Sequence, residues 1–248
     1  MTKILNNLQK LPKGWALARL EQLVGKDGLF VDGDWIETKD QDPNGEIRLI
    51  QLADIGDGGY RNKSNRFLTR EKAIELGCTF LKPHDVLIAR MPDPLGRACI
   101  FPGDTKDSVT AVDVCIVRTG RDSVGQRWLM YFTNSPLLRT TIASLQSGST
   151  RKRISRKNLS KILFTVPPLA EQRRIVAKIE ELFTRLNAGV EALKKGLKQA
   201  ERLRQSILKQ AFEGKLVPQD PADEPAEKLL ERIKAEKKKN TIDKPKRR

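Results

Sequence analysis

The apolar positions of this 248-residue chain follow two rhythms, and the change falls at Pro167-Pro168. Before it, short Val-, Ile- and Leu-rich runs alternate with clusters of Gly, Pro, Asn and Asp at 25–34, 42–46, 56–65, 91–96 and 102–107. Those residue types favour turns, so each cluster bounds a short element. The runs predict strands over Ile47–Ala53, Asp85–Ala89, Arg97–Phe101, Val112–Arg118 and Ile162–Val166. Thr69 is placed to cap a helix over Arg70–Leu76 that Gly77 stops. Spacings of three and four predict helices over Gln126–Asn134 and Ser135–Leu145, with Gly148 just beyond. Residues 1–168 therefore read as one mixed α/β (α+β) domain with many loops.

From Leu169 to Phe212 there is no proline and only two glycines. Ile175, Ile179, Leu182, Leu186, Val190, Leu193, Leu197, Ala200, Leu203, Ile207 and Ala211 succeed one another at steps of three or four. The step from Leu186 to Val190 puts a four where a three would continue the pattern, the mark of a coiled-coil stutter. A helix of this length runs roughly 65 Å at about 1.5 Å per residue. Its single apolar stripe cannot be covered by its own turns, so it predicts a partner helix. Packing along its own domain would require a domain just as long. Gly214 and Pro218 end this segment, which is assigned to 169–214. Within 215–248, a proline-rich linker (218–225) leads to a short amphipathic helix over Ala226–Lys237, with Leu229, Leu230 and Ile233 on one side. The basic tail KKKNTIDKPKRR follows and is expected to be disordered.

Lys and Arg outnumber Asp and Glu by 47 to 31, a formal net charge of +16. Such a balance suits a polyanionic partner, nucleic acid first, but charge alone does not separate that from a merely soluble basic protein. Hydrophobic residues make up 38% of the chain, enough for a core but lean for a compact enzyme. Cys78, Cys99 and Cys115 form no CxxC pair, and such sparse cysteines fit a reducing cytoplasm, as small core residues. The opening MTKILNNLQKLPKGW has no signal-peptide apolar run, and no stretch approaches the roughly 18 apolar residues of a membrane span. The expectation is a cytoplasmic protein with no membrane partner.

Enzyme and metal chemistry find little support. His84, the single histidine, lies between Pro83 and Asp85 and reads as a turn residue, not a ligand or base. Pro92-Asp93 and Glu213-Gly214-Lys215 spell the pieces of a PD…ExK nuclease motif. They lie about 120 residues apart, and the second falls at a helix end, so the motif is rejected. Asp54, Asp57 and Gly58 lack the spacing of a calcium loop, and the GDGGY glycines lack a phosphate-cradling pattern. No Asn-Pro-Pro-Tyr-like methyltransferase motif occurs. No catalytic residue, metal ligand or cofactor site is therefore assigned.

Two loops carry the vocabulary of DNA readers. YRNKSNR (60–66) offers Arg61, Asn62, Lys63, Asn65 and Arg66. GSTRKRISRK (148–157) offers Gly148, Ser149, Thr150, Arg151, Lys152, Arg153, Arg156 and Lys157. Arg reads guanine and Asn reads adenine in bidentate fashion, while Lys, Ser and Thr suit phosphates. Arg90 and Arg97, flanking MPDPLG, complete the candidates. The bland reading, a charged solvated loop, accounts for part of these residues.

These segments resemble a known family. LPKGW and RLEQLV resemble the opening of a target recognition domain of Type I restriction–modification specificity subunits, and IRLIQLADIGDGGY its strand-and-loop segment. HDVLIARMPDPLGRACIF resembles the family's hairpin, with His84 where the family usually has Gly. GSTRKRISRKNLSKILFTVPPLAEQRRIVAKIEELF resembles the closing loop that runs through PPLAEQ into the conserved helix. SILKQAFEGKLVPQDPADEPAEKLLERIKAE resembles the C-terminus. The resemblance implies a non-catalytic reader of double-stranded DNA that assembles with methyltransferase subunits and, through them, a restriction subunit. It places S-adenosylmethionine, Mg and ATP on those partners. Typical members carry two recognition domains separated by two antiparallel helices, twice the set seen here. The implied resolution is a homodimer, with residues 170–213 of two copies forming an antiparallel coiled coil. A specificity subunit for a Type II restriction–methyltransferase and a basic coiled-coil adaptor are the alternatives.

Overall fold

The computed structural model describes residues 11–92, 94–121, 123–148 and 151–242. The strands are β1 (Ala16–Arg19), β2 (Leu29–Asp32), β3 (Ile47–Ile50), β4 (Phe67–Leu68), β5 (Val86–Ala89), β6 (Ala98–Ile100), β7 (Ser108–Thr110), β8 (Val114–Arg118) and β9 (Leu163–Val166). The helices are α1 (Leu20–Leu23), α2 (Arg70–Glu75), α3 (Gln126–Thr133), α4 (Pro136–Ser144), α5 (Arg156–Ser160), α6 (Leu169–Phe212) and α7 (Ala226–Ile242). They form the mixed α/β fold with a trailing long helix that the two rhythms predict.

The central sheet has the order β2-β8-β5-β6, every pair antiparallel. Its middle strands are buried on both faces. Val86 and Ile88, with Cys115 and Val117, enter a core completed by Trp128, Leu129, Leu138 and Ile142 of α3 and α4. Leu87 and Ala89, with Val114 and Ile116, enter a second core under Ile50, Ile55 and Phe101. Successive strand residues point to opposite faces, so a sheet covered on both sides needs an unbroken apolar run, which is how β5 and β8 read in sequence. A three-stranded sheet, β4-β3-β7, builds a third core around Ile47, Leu49, Leu68, Ala73 and Val109. Cys99 and Cys115 are buried in these cores and Cys78 is half-buried.

Antiparallel pairing of β1 with β9, Ala16 opposite Val166 and Arg19 opposite Leu163, brings the two ends of the domain together. It also joins LPKGW to PPLAEQ, because the Trp15 indole N–H donates to Glu171 at 3.2 Å. The next residue, Gln172, is 3% exposed at the start of α6. Ile175 and Val176 pack against the first core, and Tyr131 meets Phe183 edge to face at 6.0 Å. The chain divides into a compact unit ending at Phe183 and another beginning at Thr184, so the first turns of α6 belong to the domain.

Several elements depart from the sequence expectation. The strand expected over Ile47–Ala53 stops at Ile50, because Leu52–Asp54 wind into a 3₁₀ turn under the control of the Asp54 carboxylate. β1, β2, β4 and β7 are two to four residues long, too short for a period-two signal to emerge. The expected loop over 148–157 ends in α5, capped by the Ser155 hydroxyl, which accepts the Asn158 N–H at 3.1 Å. α7 continues to Ile242, through residues expected to be an unstructured tail. Thr69 and Ser135 are caps, each side chain accepting an N–H from the residue three positions on.

Candidate nucleic-acid interface

The 60–66 loop leaves the domain from a tight base. Tyr60 packs on the second core and meets Phe101 edge to face at 5.7 Å, and burial pushes its hydroxyl up to about 12. Arg61, Asn62, Lys63, Asn65 and Arg66 are all exposed. Asn62 takes the left-handed conformation with φ +51°, which Asn tolerates better than most side chains. Ser64 is the inward-facing exception. Its N–H and hydroxyl and the Lys63 N–H all bond the Asp54 carboxylate, and its carbonyl accepts from Arg48 at 2.8 Å. Arg66 reaches the Gln41 side chain at 3.3 Å.

The second basic segment is pinched at its base. Ser147 and Arg153 exchange main-chain hydrogen bonds of 2.8 and 2.9 Å, and Ile154, fully buried, anchors the returning arm. Gly148 has φ +95°, and a Cβ there would lie 2.4 Å from the Arg151 carbonyl, so the turn requires glycine. Arg151 and Lys152 are exposed. Arg153 pairs with Asp113 at 3.2 Å, and Arg156 lies 3.6 Å from Asp32 while donating to the Phe30 carbonyl. Lys157 is exposed on α5. Ser149 and Thr150 lie outside the described residues.

Arg90 and Arg97 correct the sequence reading. Each is 4% exposed, so neither guanidinium is presented to a ligand. Arg90 donates to the Val112 carbonyl at 2.6 Å and lies 3.3 Å from Asp32. Arg97 donates to the carbonyls of Ile55, Leu52, Met91 and Pro94 at 2.7 to 3.2 Å. Both hold loops in place. Arg139 adds a similar bracket, bonding Asp57, the Leu95 carbonyl and Asn134 at 2.7 to 2.9 Å. The sequence weighs Asp54 only as a calcium-loop residue and gives Arg48 and Arg139 no role, because nothing local marks an isolated charged residue as a bracket for a distant loop.

These bonds link the bases of the two basic segments through Leu52, Ile55 and Asp57 on one side and Arg90, Met91, Pro94 and Leu95 on the other. Arg97 and Arg139 tie residues 52–57 to the carbonyls of Met91, Pro94 and Leu95 between β5 and β6. The Arg90 carbonyl accepts the Ile154 N–H at 3.1 Å, and Arg153 pairs with Asp113 in the turn before β8. Guanidinium groups and amides there can contact phosphates and base edges. His84 sits at φ +75° in a turn before β5, and among the described residues no group of three His, Cys, Asp or Glu is placed to hold a metal. No helix among them is long and apolar enough to cross a membrane.

Basic loops on a mixed α/β domain, followed by a long helix, form the arrangement of a specificity domain. The chain belongs to the family described as the Type I restriction modification DNA specificity domain, whose profile matches residues 12–199. Among its relatives, the Type I restriction enzyme EcoDI specificity subunit of Escherichia coli is 33% identical over 93% of this chain and 50% of its own length. The EcoBI specificity subunit of Escherichia coli is 25% identical over 92% of this chain and 49% of its own. The HsdS subunit from Thermoanaerobacter tengcongensis shares the fold, with a TM-score of 0.60 and 24% identity over 84% of this chain and 47% of that one. The chain spans about half the length of the relatives it matches.

Proposed function

We propose that this chain is a non-catalytic, DNA-reading component of a Type I restriction–modification complex. The linked basic segments read one half of a split target in double-stranded DNA. Two copies associate through α6, so that two like domains address a palindromic, interrupted site. The observation that supports pairing is the exposed apolar series Leu182, Leu186, Val190, Leu193, Leu197, Leu203 and Ile207, between 39% and 76% exposed along one helix. Apolar side chains repeated at that spacing on a long helix gain stability by meeting a second helix. Ile175 is already packed on the domain core and Ile179 is half-buried, so the free seam starts at Leu182. Methyltransferase subunits carrying S-adenosylmethionine bind this assembly, and a restriction subunit joins through them, supplying the Mg- and ATP-dependent steps.

The test is the mass of the purified chain by light scattering, alone and with a methyltransferase subunit, followed by selection from a random duplex pool. A dimer that recruits methyltransferase and enriches a two-part palindrome is the expected result. A monomer that ignores methyltransferase and enriches nothing overturns the proposal.

A further inference from the structure

Asp54 is fully buried, yet its bonds bear on an exposed basic loop of the domain. One carboxylate oxygen accepts the N–H groups of Lys63 and Ser64 at 2.7 and 2.8 Å. The other accepts the Gln51 N–H at 2.8 Å and the Ser64 hydroxyl. The Asp54 carbonyl accepts the Arg61 N–H at 2.8 Å. Arg48 closes the set, donating to the Ser64 carbonyl from a position 3.8 Å from the Asp54 carboxylate. Positions 61, 63 and 64 are thereby fixed to a single aspartate, and the side chains between and beside them are carried on a predetermined path.

Arg97 extends that control to a second loop. Its Nε and one Nη bond the Ile55 and Leu52 carbonyls, on either side of Asp54, at 2.7 and 2.8 Å. Its other Nη bonds the Met91 and Pro94 carbonyls at 3.1 and 3.2 Å. The planar guanidinium therefore sets the spacing between the segment that holds the 60–66 loop and the Met91 and Pro94 carbonyls. An ammonium in its place has no such fork.

We propose that Asp54 and Arg97 are the positioning residues of DNA discrimination. Asp54 sets the path of 60–66, and Arg97 fixes the Leu52–Ile55 segment beneath it to the Met91 and Pro94 carbonyls, so that the loop's exposed side chains meet the bases of one half-site in a set geometry. The inference rests on the DNA-reading function above and adds which buried groups determine its selectivity. Bidentate base contacts depend on fixed geometry, whereas phosphate contacts depend chiefly on charge. A loop cut loose from Asp54 keeps its charge and loses its aim, and the specific complex must then bear the cost of ordering it.

The experiment uses the full chain and a duplex selected by it from a random pool, with a scrambled duplex as control. Dissociation constants, their salt slope and the unfolding midpoint are measured for S64A, S64T, D54N and R97K. Ser64→Ala removes one hydroxyl bond to Asp54 and is expected to weaken the selected duplex about fivefold, near the lower end of one base contact's worth. The scrambled duplex and the salt slope stay close to wild type, and the midpoint falls by no more than the loss of one hydrogen bond to a carboxylate allows. Ser64→Thr keeps the hydroxyl and restores selectivity. Asp54→Asn and Arg97→Lys lose more selectivity in the same direction. If either fails to fold, the S64A and S64T pair decides. An unchanged affinity ratio in S64A overturns the inference, as does an equal loss on both duplexes with a matching fall in midpoint. A wild-type chain that prefers no duplex overturns the DNA-reading function itself; a selective wild type with an unaffected S64A overturns only the positioning role.

Discussion

The Gln172 carboxamide oxygen accepts the Gly125 N–H at 2.9 Å, fastening the start of α6 to the N-terminus of α3. The same amide donates to the Pro167 carbonyl at 2.9 Å. PPLAEQ therefore works as a joint: Glu171 holds Trp15, Gln172 holds Gly125, and Pro167-Pro168 set the turn between β9 and the helix. Replacing Gln172 by Leu leaves two main-chain groups without that partner. At about 1 to 3 kcal/mol for each group left unsatisfied, the loss is roughly 2 to 6 kcal/mol. Thermal unfolding followed by circular dichroism should show a midpoint lower by about 4 to 24 °C for a domain of this size. An unchanged midpoint would mean that the joint is not rigid in solution.

Arg151 and Arg153 sit on the turn that Gly148 shapes, outside α6. Alanine at both should weaken DNA binding and reduce the slope of log K against log salt by about 1 for each phosphate no longer engaged. Light scattering should show the same mass as wild type. Loss of assembly with intact DNA affinity would contradict the division of roles.

Leu186 and Leu193 are 61% and 76% exposed on α6. A glutamate at either position puts charge into the proposed helix seam, where burial without a partner costs several kcal/mol. The expected outcome is a monomer at concentrations where wild type is dimeric, with the domain's unfolding midpoint preserved. An unaffected dimer would place the seam on another face.

Asp34 supplies a pH dependence. Burial raises its carboxyl above 3.8, against the lowering effect of hydrogen bonds from the Thr79 N–H and the Cys78 thiol. In the native state the proton is therefore held to higher pH than in the unfolded chain. Asp34 contributes its stability below pH 3.8, and that contribution is lost as pH rises through the raised value. Asp34→Asn keeps an acceptor for Thr79 and removes the titration. Denaturant midpoints should show the variant the more stable of the two at pH 7, and the difference should shrink toward pH 4.

Burial also pushes the Cys78 and Cys99 thiols up to about 12, and Cys115 well above its ordinary value. The thiolate is the reacting species, so an aromatic disulfide reagent at pH 8 should label the native chain slowly at all three positions. Denaturant should release three equivalents at once. Rapid native labelling of Cys78, the half-buried one, would show that α2 and its following turn open readily.

Local spacing in the sequence was enough to determine the long helix, the Thr69 cap, and strands β5 and β8, because each depends on neighbours a few residues away. It also marked 60–66 and 148–157 as exposed basic segments, since runs of polar residues with glycine rarely enter a core. The tertiary structure alone decided which charges face inward. Arg97 and Arg61 are both single arginines in glycine-containing stretches, and only the carbonyls of Leu52, Ile55, Met91 and Pro94 converging on one of them make it a bracket. Pairing of β1 with β9 across more than 140 residues likewise leaves no local trace, yet it brings Trp15 to Glu171. The division of the apolar stripe, Ile175 on the domain and Leu182 onward exposed, also waited on packing. A period in sequence states which side of a helix is apolar, and only the neighbouring elements settle how much of that side is already covered.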